Sequence, residues 1–385
     1  MSPSRPTAPR LSARISDLHP SPIREILAVA QQPGMISFAG GLPAAETFPD
    51  LGLTVAAEAL QYGPSEGDWA LRCQVAEELA GLGLTCPPEQ VLILSGSQQG
   101  IDLVGKLFVD AGTPVAVEAP TYLATLQVFR LFGAQFLPYS VQQIQAADWL
   151  HQRPALAYAI PTFQNPTGHC YSLAEREALA AACVESGTPL FEDDPYRDLV
   201  YSPCERRPVC ALLQDASPWI YQGSFSKSLA PGLRLGYMAA SADLFPHLVR
   251  LKQAADLHSN RVSQALVLEQ LRHPGRDARI ARLQDFYRHK RDAFAQALDR
   301  HLGGLATWQV PAGGLFFWLQ LNTPVDTRRL LPDALARQVA FMPGEAFYPD
   351  APTLGTLRLN FSHAAEADMD RGLAVLAELI REASH

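Results

Sequence analysis

The chain has 385 residues, of which 48% are hydrophobic and 18% are charged, and its formal net charge is −8 at pH 7. This length exceeds what one hydrophobic core usually holds, so we expect two domains, or one large and one small. The acidic balance disfavours nucleic acid and anionic membranes as main partners, and no run reaches the roughly 18 apolar residues of a membrane span.

The cysteines and the N-terminal residues indicate in which cellular compartment the protein is found. Six cysteines are scattered along the chain without a C-x-x-C pair or histidines at zinc spacing, so no metal site is predicted. Such thiols are typical of small buried hydrophobes in a reducing environment. The stretch MSPSRPTAPRLSARIS contains no apolar segment of a secretory signal. We therefore expect a cytoplasmic protein.

Helical patterns precede the first strand-like run. The first dozen residues are rich in Pro, Ser and Arg and predict a mobile arm. PIREILAVA at 22–30 predicts a short helix with proline near its start, where a missing N–H costs nothing. Residues 69–82 predict another helix, with these apolar side chains on one face: Leu71, Val75, Leu79 and Leu82.

Between about 91 and 240, short apolar runs alternate with helical stretches such as 173–186. The runs are VLILSG, PVAVEAP, AQFLPYSV, ALAYAIPT, PLFEDD, WIYQGS and LGYMAAS. Apolar strands that alternate with helices predict an α/β domain whose mostly parallel sheet is covered by helices on both faces.

After 277 the pattern predicts a smaller α+β domain. A long amphipathic helix is followed by the runs LFFWLQL, VAFMPG and TLRLNFS and by a last amphipathic helix. The apolar positions of the two helices are Ile280, Leu283, Tyr287, Phe294 and Leu298, then Met369, Leu373, Leu376 and Ile380. We place the N-terminal arm and helix at 1–50, the large domain at 51–272 and the small domain at 273–385, and we expect the N-terminal segment to contribute to the small domain.

Polar residues follow five of the predicted strands. They are SGSQQ from Ser95, PTY from Pro120, NPTG from Asn165, DDPY from Asp193 and SFSK from Ser224. Ligands of open α/β sheets bind beyond the carboxyl ends of the strands. Five such loops at one edge indicate an anionic ligand that accepts and donates hydrogen bonds.

An anion site is predicted where SGSQQG, residues 95–100, opens a helix, because free N–H groups at a helix start favour a phosphate. Ser224, Ser226 and Arg234 are candidates to complete it. An ordinary capped helix and a turn are the alternative for either piece alone. A nucleotide P-loop is excluded, since Ser226 stands where that motif needs glycine.

Lys227 lies in a strand-end loop without an acidic neighbour and close to Arg234. A solvated surface lysine is the alternative, but burial and neighbouring cations lower the pKa of an amine and make it a nucleophile toward a carbonyl. A phosphate beside such an amine points to pyridoxal phosphate, which also needs a carboxylate facing its ring nitrogen. Asp193 or Asp194 could supply it, although a helix cap is the competing role.

The residues and motifs of almost the whole chain resemble the fold-type I pyridoxal-phosphate aminotransferases of class I/II, which have the aspartate-aminotransferase-like fold. The similarity is strongest to the branch of 2-aminoadipate, kynurenine and broad-specificity aminotransferases. The matching motifs are ISFAGGLP at 36–43, LQYGPSEG, SGSQQG, PTYLATL, PTFQNPTG, EDDPYRDL, GSFSKSLAPGLRLGY and LRLNFS at 357–362.

The resemblance implies roles for particular residues. Lys227 would bind the cofactor's aldehyde covalently and later move the substrate's proton, and Asp193 would pair with the ring nitrogen and leave Asp194 structural. Tyr196 and Asn165 would contact the ring oxygen. The remaining cofactor residues would be Tyr122 against the ring, and Ser97, Gln98, Ser224, Ser226 and Arg234 at the phosphate. Tyr62 would reach the phosphate of the neighbouring subunit, which implies a homodimer with shared active sites.

The resemblance also implies a substrate site. Arg358 would bind the α-carboxylate of an amino acid, with help from Asn165 and with Gly41 close by. Arg24 matches an arginine that can meet an acidic side chain in the aminoadipate-type branch, whereas an exposed helix arginine is the alternative. We expect transfer of an amino group from an L-amino acid to 2-oxoglutarate, with donors that are acidic or that include aromatic and aliphatic side chains.

Other functions remain open from the sequence. A β-lyase, racemase or decarboxylase could use the same cofactor and scaffold, although an occupied Arg358 disfavours decarboxylation. A regulator of the GntR type would carry an N-terminal winged helix of some seventy residues, and here the similarity begins within about twenty. A non-catalytic binding protein is disfavoured because each residue of the cofactor set is present.

Overall fold

A computed structural model describes residues 11–15, 26, 32–52, 55–146 and 149–383 of the chain. Most of the predicted arm and, apart from Ile26, the predicted helix at 22–30 lie outside these residues. No helix among the described residues is both long enough and apolar enough to cross a membrane.

The strands group into three sheets. In chain order they are β1 Ile36–Ser37, β2 Val91–Leu94, β3 Pro114–Glu118, β4 Gln135–Tyr139, β5 Leu156–Ala159, β6 Leu190–Asp194, β7 Trp219–Ser224, β8 Gly236–Ala240, β9 Ala306–Trp308, β10 Phe316–Leu321, β11 Val339–Ala340, β12 Met342–Pro343 and β13 Thr356–Asn360. The large sheet has the order β2-β8-β7-β6-β5-β3-β4, a four-stranded sheet has the order β12-β13-β10-β9, and β1 pairs with β11.

The large sheet is parallel except for β8, which runs antiparallel to both neighbours. Its seven strands coincide with the seven apolar runs predicted between 91 and 240. Every residue of β2, β5, β6 and β8 is buried, as expected for strands covered on both faces. The mostly parallel α/β sheet and the antiparallel C-terminal sheet confirm the predicted fold class.

The helices cover these sheets. In chain order they are α1 Trp69–Gly81, α2 Ser97–Phe108, α3 Leu123–Phe132, α4 Trp149–Gln152, α5 Leu173–Ser186, α6 Cys210–Leu213, α7 Phe245–Asp256, α8 Arg261–Arg272, α9 Arg276–Leu302, α10 Thr327–Ala336 and α11 Glu366–Ala383. The predicted helices at 69–82, at 173–186, after 277 and at the C-terminus are all present. The six cysteines are free thiols.

Apolar side chains form separate clusters on the two faces of the large sheet and a third around the four-stranded sheet. Leu71, Val75 and Leu79 of α1 belong to the first cluster, and Ile101 and Val104 of α2 to the second. The members of the third include Leu283, Tyr287, Phe294, Phe317, Leu359 and Leu373, together with Ile36 and Phe38 from the N-terminal part. A fully buried leucine or phenylalanine stabilises the fold by roughly 1.5–3 kcal/mol, so these clusters fix the positions of the strand ends.

Candidate active site

Lys227 lies in the loop after β7, with its amine turned toward the N-terminal part of the chain. Its Nζ donates a hydrogen bond to the carbonyl oxygen of Gly41 at 2.8 Å. Burial, followed by the charges of Arg358 and Arg234, lowers its pKa to about 8 from an ordinary value of 10.5. Roughly a tenth of this amine is therefore uncharged at pH 7, far more than for an ordinary lysine, and the uncharged form is the one that acts as a nucleophile or a base.

Asp193, the next-to-last residue of β6, lies beside two neutral donors. The hydroxyl of Tyr158 donates to its Oδ2 at 2.9 Å, and Nε2 of Gln222 donates to its Oδ1 at 3.0 Å. It forms no ion pair with the described residues, and burial raises its pKa to about 6. A buried carboxylate without a cation fits the protonated ring nitrogen of pyridoxal phosphate.

Asp194 has different surroundings, because successive side chains of a strand point to opposite faces. It accepts a hydrogen bond from the hydroxyl of Tyr221 at 2.7 Å, and the charges of Arg197 and Arg176 oppose the rise of its pKa by burial. These contacts are those of a structural carboxylate buried beside the large sheet.

Arg358, in β13, is 2% exposed and meets Asn165 at the site. Its Nη1 donates to Oδ1 of Asn165 at 2.8 Å and its Nη2 to the carbonyl oxygen of Ala39 at 2.6 Å. The rings of Phe316 and Phe347 flank the guanidinium, with centroids 4.1 and 4.9 Å from Cζ. Its Nε has no hydrogen-bond partner, and burial lowers its pKa to about 10. A buried cation without a described carboxylate partner fits a bound carboxylate.

Two tyrosines lie near Asp193. Burial raises the pKa of Tyr196, and the charge of Arg358 and a hydrogen bond with Asn165 oppose that rise. Tyr122 immediately precedes α3, and its pKa is raised by burial and by Asp193. The two phenols, Asp193 and Asn165 thus come from different strand ends to one place, as the loop pattern predicts.

The predicted anion site lies at the start of α2. Gly96 precedes the helix with φ +83°, and no side chain caps the free N–H groups. A Cβ at Gly96 would lie 2.6 Å from Nη2 of Arg234, so this guanidinium lies against the helix start. The backbone N–H of Ser226 donates to Oγ of Ser224 at 3.2 Å, and Gln98 is exposed. A helix start without a cap beside an arginine fits a phosphate.

Tyr62 lies at the surface. It is 76% exposed, its ring meets the edge of the His258 ring at a centroid distance of 5.7 Å, and Nη1 of Arg261 donates to its carbonyl oxygen at 3.3 Å. The predicted contact of Arg24 with substrate lies outside the described residues. Among the residues that are described, no cluster of His, Cys, Asp or Glu is arranged to hold a metal ion.

The side chains that contact Asp193 and Arg358 were not predicted from the sequence. Tyr158 and Gln222 are polar members of the otherwise apolar runs ALAYAIPT and WIYQGS, and this polarity was the available signal. Phe316 and Phe347 gave no signal, because apolar aromatic residues in strands and turns are ordinary core material.

Comparison with known proteins agrees with the geometry of the site and with the resemblance seen in the sequence. The family model described as aminotransferase class I and II matches residues 42–376. The chain is 39% identical over 378 residues to the 2-aminoadipate transaminase of Thermus thermophilus, with 94% of each chain covered.

Solved structures agree over almost the full length. An α-aminoadipate aminotransferase from Thermus thermophilus, complexed with N-(5′-phosphopyridoxyl)-L-leucine, superposes with a TM-score of 0.88 at 37% identity, covering 97% of both chains. A kynurenine aminotransferase from Pyrococcus horikoshii superposes with a TM-score of 0.90 at 33% identity, again covering 97% of both.

Proposed function

The chain belongs to the class I and II aminotransferases, and on that premise we propose which amino acids it uses and how its residues act. The enzyme moves an amino group from an amino acid to a 2-oxo acid with pyridoxal phosphate as its cofactor. The proposed donors are acidic L-amino acids of the 2-aminoadipate and glutamate type, with aromatic and aliphatic donors also accepted, and the proposed acceptor is 2-oxoglutarate.

The observation that carries the proposal is the shared anchoring of Lys227 and Arg358. Both donate to backbone carbonyls of one short segment, Lys227 to Gly41 and Arg358 to Ala39. An amino acid whose α-carboxylate binds Arg358 would therefore have its α-carbon close to the Lys227 amine. Bidentate binding of a carboxylate to a guanidinium fixes orientation as well as position.

The proposed roles of the side chains follow from their surroundings. Pyridoxal phosphate, when bound, supplies an electron sink for the negative charge that develops at the substrate's α-carbon. Asp193 would hold the ring nitrogen in its protonated form, and Tyr196 and Asn165 would contact the ring oxygen. Ser97, Gln98, Ser224, Ser226 and Arg234 would hold the phosphate, and Tyr122 would lie against the ring.

Lys227 would act as the base of the reaction. As a free amine it would take the proton from the substrate's α-carbon and then deliver that proton to the cofactor. Its lowered pKa favours the free amine. Arg358 would stay bound to the α-carboxylate throughout, which opposes loss of that group as carbon dioxide. This distinguishes the proposal from a decarboxylase.

The choice of donors rests on the relatives and on Arg24. The names of two relatives include an acidic and an aromatic amino acid, and the adduct in one solved structure contains leucine. Arg24 would bind the distal carboxylate of an acidic donor. The flanking rings of Phe316 and Phe347 show that apolar surface surrounds the guanidinium of Arg358.

A half-reaction panel tests the donors. The loaded enzyme is mixed in single turnover with each L-amino acid, with 2-aminoadipate and with kynurenine, while the visible absorbance of the cofactor is followed. Arg24→Leu should lower the second-order rate constant for 2-aminoadipate on the order of tenfold or more, since a charge-assisted contact is lost, and should leave leucine and kynurenine within about threefold.

The exposed Arg14 offers a matched control within the same N-terminal segment. Arg14→Leu should leave every donor unchanged. An equal effect of Arg24→Leu on acidic and apolar donors would contradict the role of Arg24 alone. No conversion by any donor, or release of a β-substituent without an amino acceptor, would contradict the transaminase and favour a lyase.

We also propose that the enzyme is a cytoplasmic homodimer with active sites shared between subunits. Leu60 and Tyr62 are each 76% exposed, and Leu257, next to the His258 that Tyr62 contacts, is 50% exposed; exposed apolar side chains grouped in one place are typical of an interface. Tyr62 would reach the phosphate in the partner's site. The free thiols fit a reducing compartment.

A further inference from the structure

A fully buried lysine lies behind the predicted phosphate site. Lys252, on α7, is 0% exposed. Its Nζ lies within hydrogen-bond distance of four side chains: Gln99 Oε1 at 2.7 Å, Ser259 Oγ at 2.8 Å, Asp256 Oδ1 at 2.8 Å and Ser95 Oγ at 3.4 Å. A buried ammonium is costly unless its charge and its donors are paired, so these contacts tie α7 to Ser95 and Gln99.

The partners of Lys252 bracket the start of α2. Ser95 directly precedes Gly96, and Gln99 lies in the first turn of the helix. The Oε1 of Gln99 also accepts from the backbone N–H of Ser95 at 2.8 Å, so one carboxamide oxygen joins Lys252 to both sides of the loop. The Oγ of Ser95 donates to Oδ2 of Asp256 at 2.7 Å. Hydrogen bonds to Lys252, directly from Ser95 and through Gln99, therefore hold the loop from Ser95 to Ser97 in place.

The network continues into β2. The hydroxyl of Ser259 donates to the carbonyl oxygen of Ile93 at 3.1 Å. The same network thus reaches the strand before the loop and the helix after it. Gly96 between them has φ +83°, a conformation that glycine adopts without strain.

We propose that Lys252 is a positioning residue of the phosphate site: it holds the Ser95–Ser97 loop in the shape that directs the free N–H groups of α2 and the Arg234 guanidinium toward one phosphate. This inference rests on the proposed function of that loop. Lys252 does not touch the phosphate in this proposal. The alternative is a buried ion pair with Asp256 that stabilises α7 and has no bearing on the ligand.

Two ligands separate these possibilities. Pyridoxal phosphate needs the phosphate site, whereas 5′-deoxypyridoxal has the same ring and aldehyde without a phosphate. Dissociation constants of both are measured by equilibrium dialysis on the cofactor-free full chain. Lys252→Met keeps the length of the side chain and removes its charge and donors. Lys106→Met is the matched control, because Lys106 lies on α2, is exposed and pairs with Asp102 in the same i,i+4 spacing.

We expect Lys252→Met to raise the dissociation constant of pyridoxal phosphate on the order of tenfold, and that of 5′-deoxypyridoxal by less than about twofold. Lys106→Met should change neither constant. If Lys252→Met fails to fold, Ser259→Ala removes one partner without leaving a buried charge unpaired, and a selective loss of about threefold is expected.

A second measurement uses inorganic phosphate and so does not involve the pyridoxal ring. Inorganic phosphate should raise the Tm of the cofactor-free wild-type protein and raise that of the variant less. Equal weakening of both pyridoxal compounds, or no change in either, would overturn the proposal. Such results would leave the Lys252–Asp256 pair with a structural role only. Failure of the proposed function would look different, since wild-type protein would then not prefer pyridoxal phosphate over 5′-deoxypyridoxal.

Discussion

At the scale of single residues, burial determines what the charged groups of the site can do. Lys227, Asp193 and Arg358 each lack an oppositely charged partner among the described residues. Burial pushes each pKa toward the uncharged form, downward for the two bases and upward for the acid. In the proposed function, the α-carboxylate of an amino acid would pair with Arg358 and the protonated ring nitrogen of pyridoxal phosphate with Asp193.

The lowered pKa of Lys227 predicts a pH dependence. Its amine is protonated below about pH 8 and free above it, so the reaction of cofactor-free protein with 5′-deoxypyridoxal should speed up as pH rises through about 8. Stopped-flow absorbance measures the rate across the pH range. Lys227→Ala should show no such reaction and should lose orders of magnitude in transamination while still binding pyridoxal phosphate noncovalently. A midpoint of the rate profile near pH 10.5, the ordinary pKa of lysine, would contradict the lowered pKa of Lys227.

The two aspartates of β6 predict different outcomes for the same substitution. Asp193→Asn should lower the rate of α-proton removal by two orders of magnitude or more, about 3 kcal/mol, because a neutral amide does not hold the ring nitrogen protonated. Asp194→Asn should have a mild effect, since Asp194 bonds to Tyr221. Single-turnover rates with one donor compare them directly. Swapped severities would mean that Asp194 is the partner of the ring.

Asp193 also predicts how stability depends on pH in the cofactor-free protein. Its folded pKa of about 6 lies above the ordinary 3.8, so the folded state holds the extra proton and loses stability as pH rises from about 4 through 6. Asp193→Asn should remove this loss and be more stable than wild type above pH 6, by about 1–3 kcal/mol. Urea unfolding at pH 4 and pH 7 measures the difference, and a wild-type stability that rises through this window faster than that of the variant would contradict it.

At the scale of elements, the junction of β2 and α2 depends on one glycine. Gly96→Ala would force φ +83° on an alanine and place its Cβ 2.6 Å from Nη2 of Arg234. We expect a loss of about 1–2 kcal/mol in the free energy of unfolding and a weaker affinity for pyridoxal phosphate. Gly81→Ala, at the end of α1, is the control because its Cβ would meet nothing within 4 Å. Equal stability and cofactor affinity in the two variants would show that Gly96 carries no special constraint.

The elements also show why the sequence predicts some features and not others. The runs VLILSG, ALAYAIPT and PLFEDD predict buried strands because both faces of each are covered, which leaves a continuous apolar signal. The antiparallel direction of β8 is not predictable from LGYMAAS, since burial is the same in either direction. Tyr158, Gln222 and Lys252 were missed because their partners are distant in sequence, and only the strand order and helix packing bring them together.

At the scale of the whole molecule, the proposed site draws on distant parts of the chain. The backbone carbonyls of Ala39 and Gly41, which accept hydrogen bonds from Arg358 and Lys227, lie before the large sheet in the sequence. Lys227 follows β7, and Arg358 lies in the C-terminal sheet. The site therefore forms only when these parts are folded together. Tyr62 is the exception, because its side chain is largely exposed at the surface of its own chain.

A shared active site predicts that two defective chains can complement each other. In a heterodimer of Tyr62→Phe and Lys227→Ala chains, one site combines Lys227 of the first chain with Tyr62 of the second, and the other site lacks both. Mixed dimers should therefore regain activity at limiting pyridoxal phosphate, when neither homodimer works well, because one site of each heterodimer is intact.

Dimers are exchanged in mild denaturant, separated by two affinity tags and assayed by turnover per dimer. Asp193→Asn mixed with Lys227→Ala is the matched control and should show no rescue, since both residues serve the site of their own subunit. Rescue in neither mixture would mean that Tyr62 acts within its own chain, which its 76% exposure and its position beside His258 argue against.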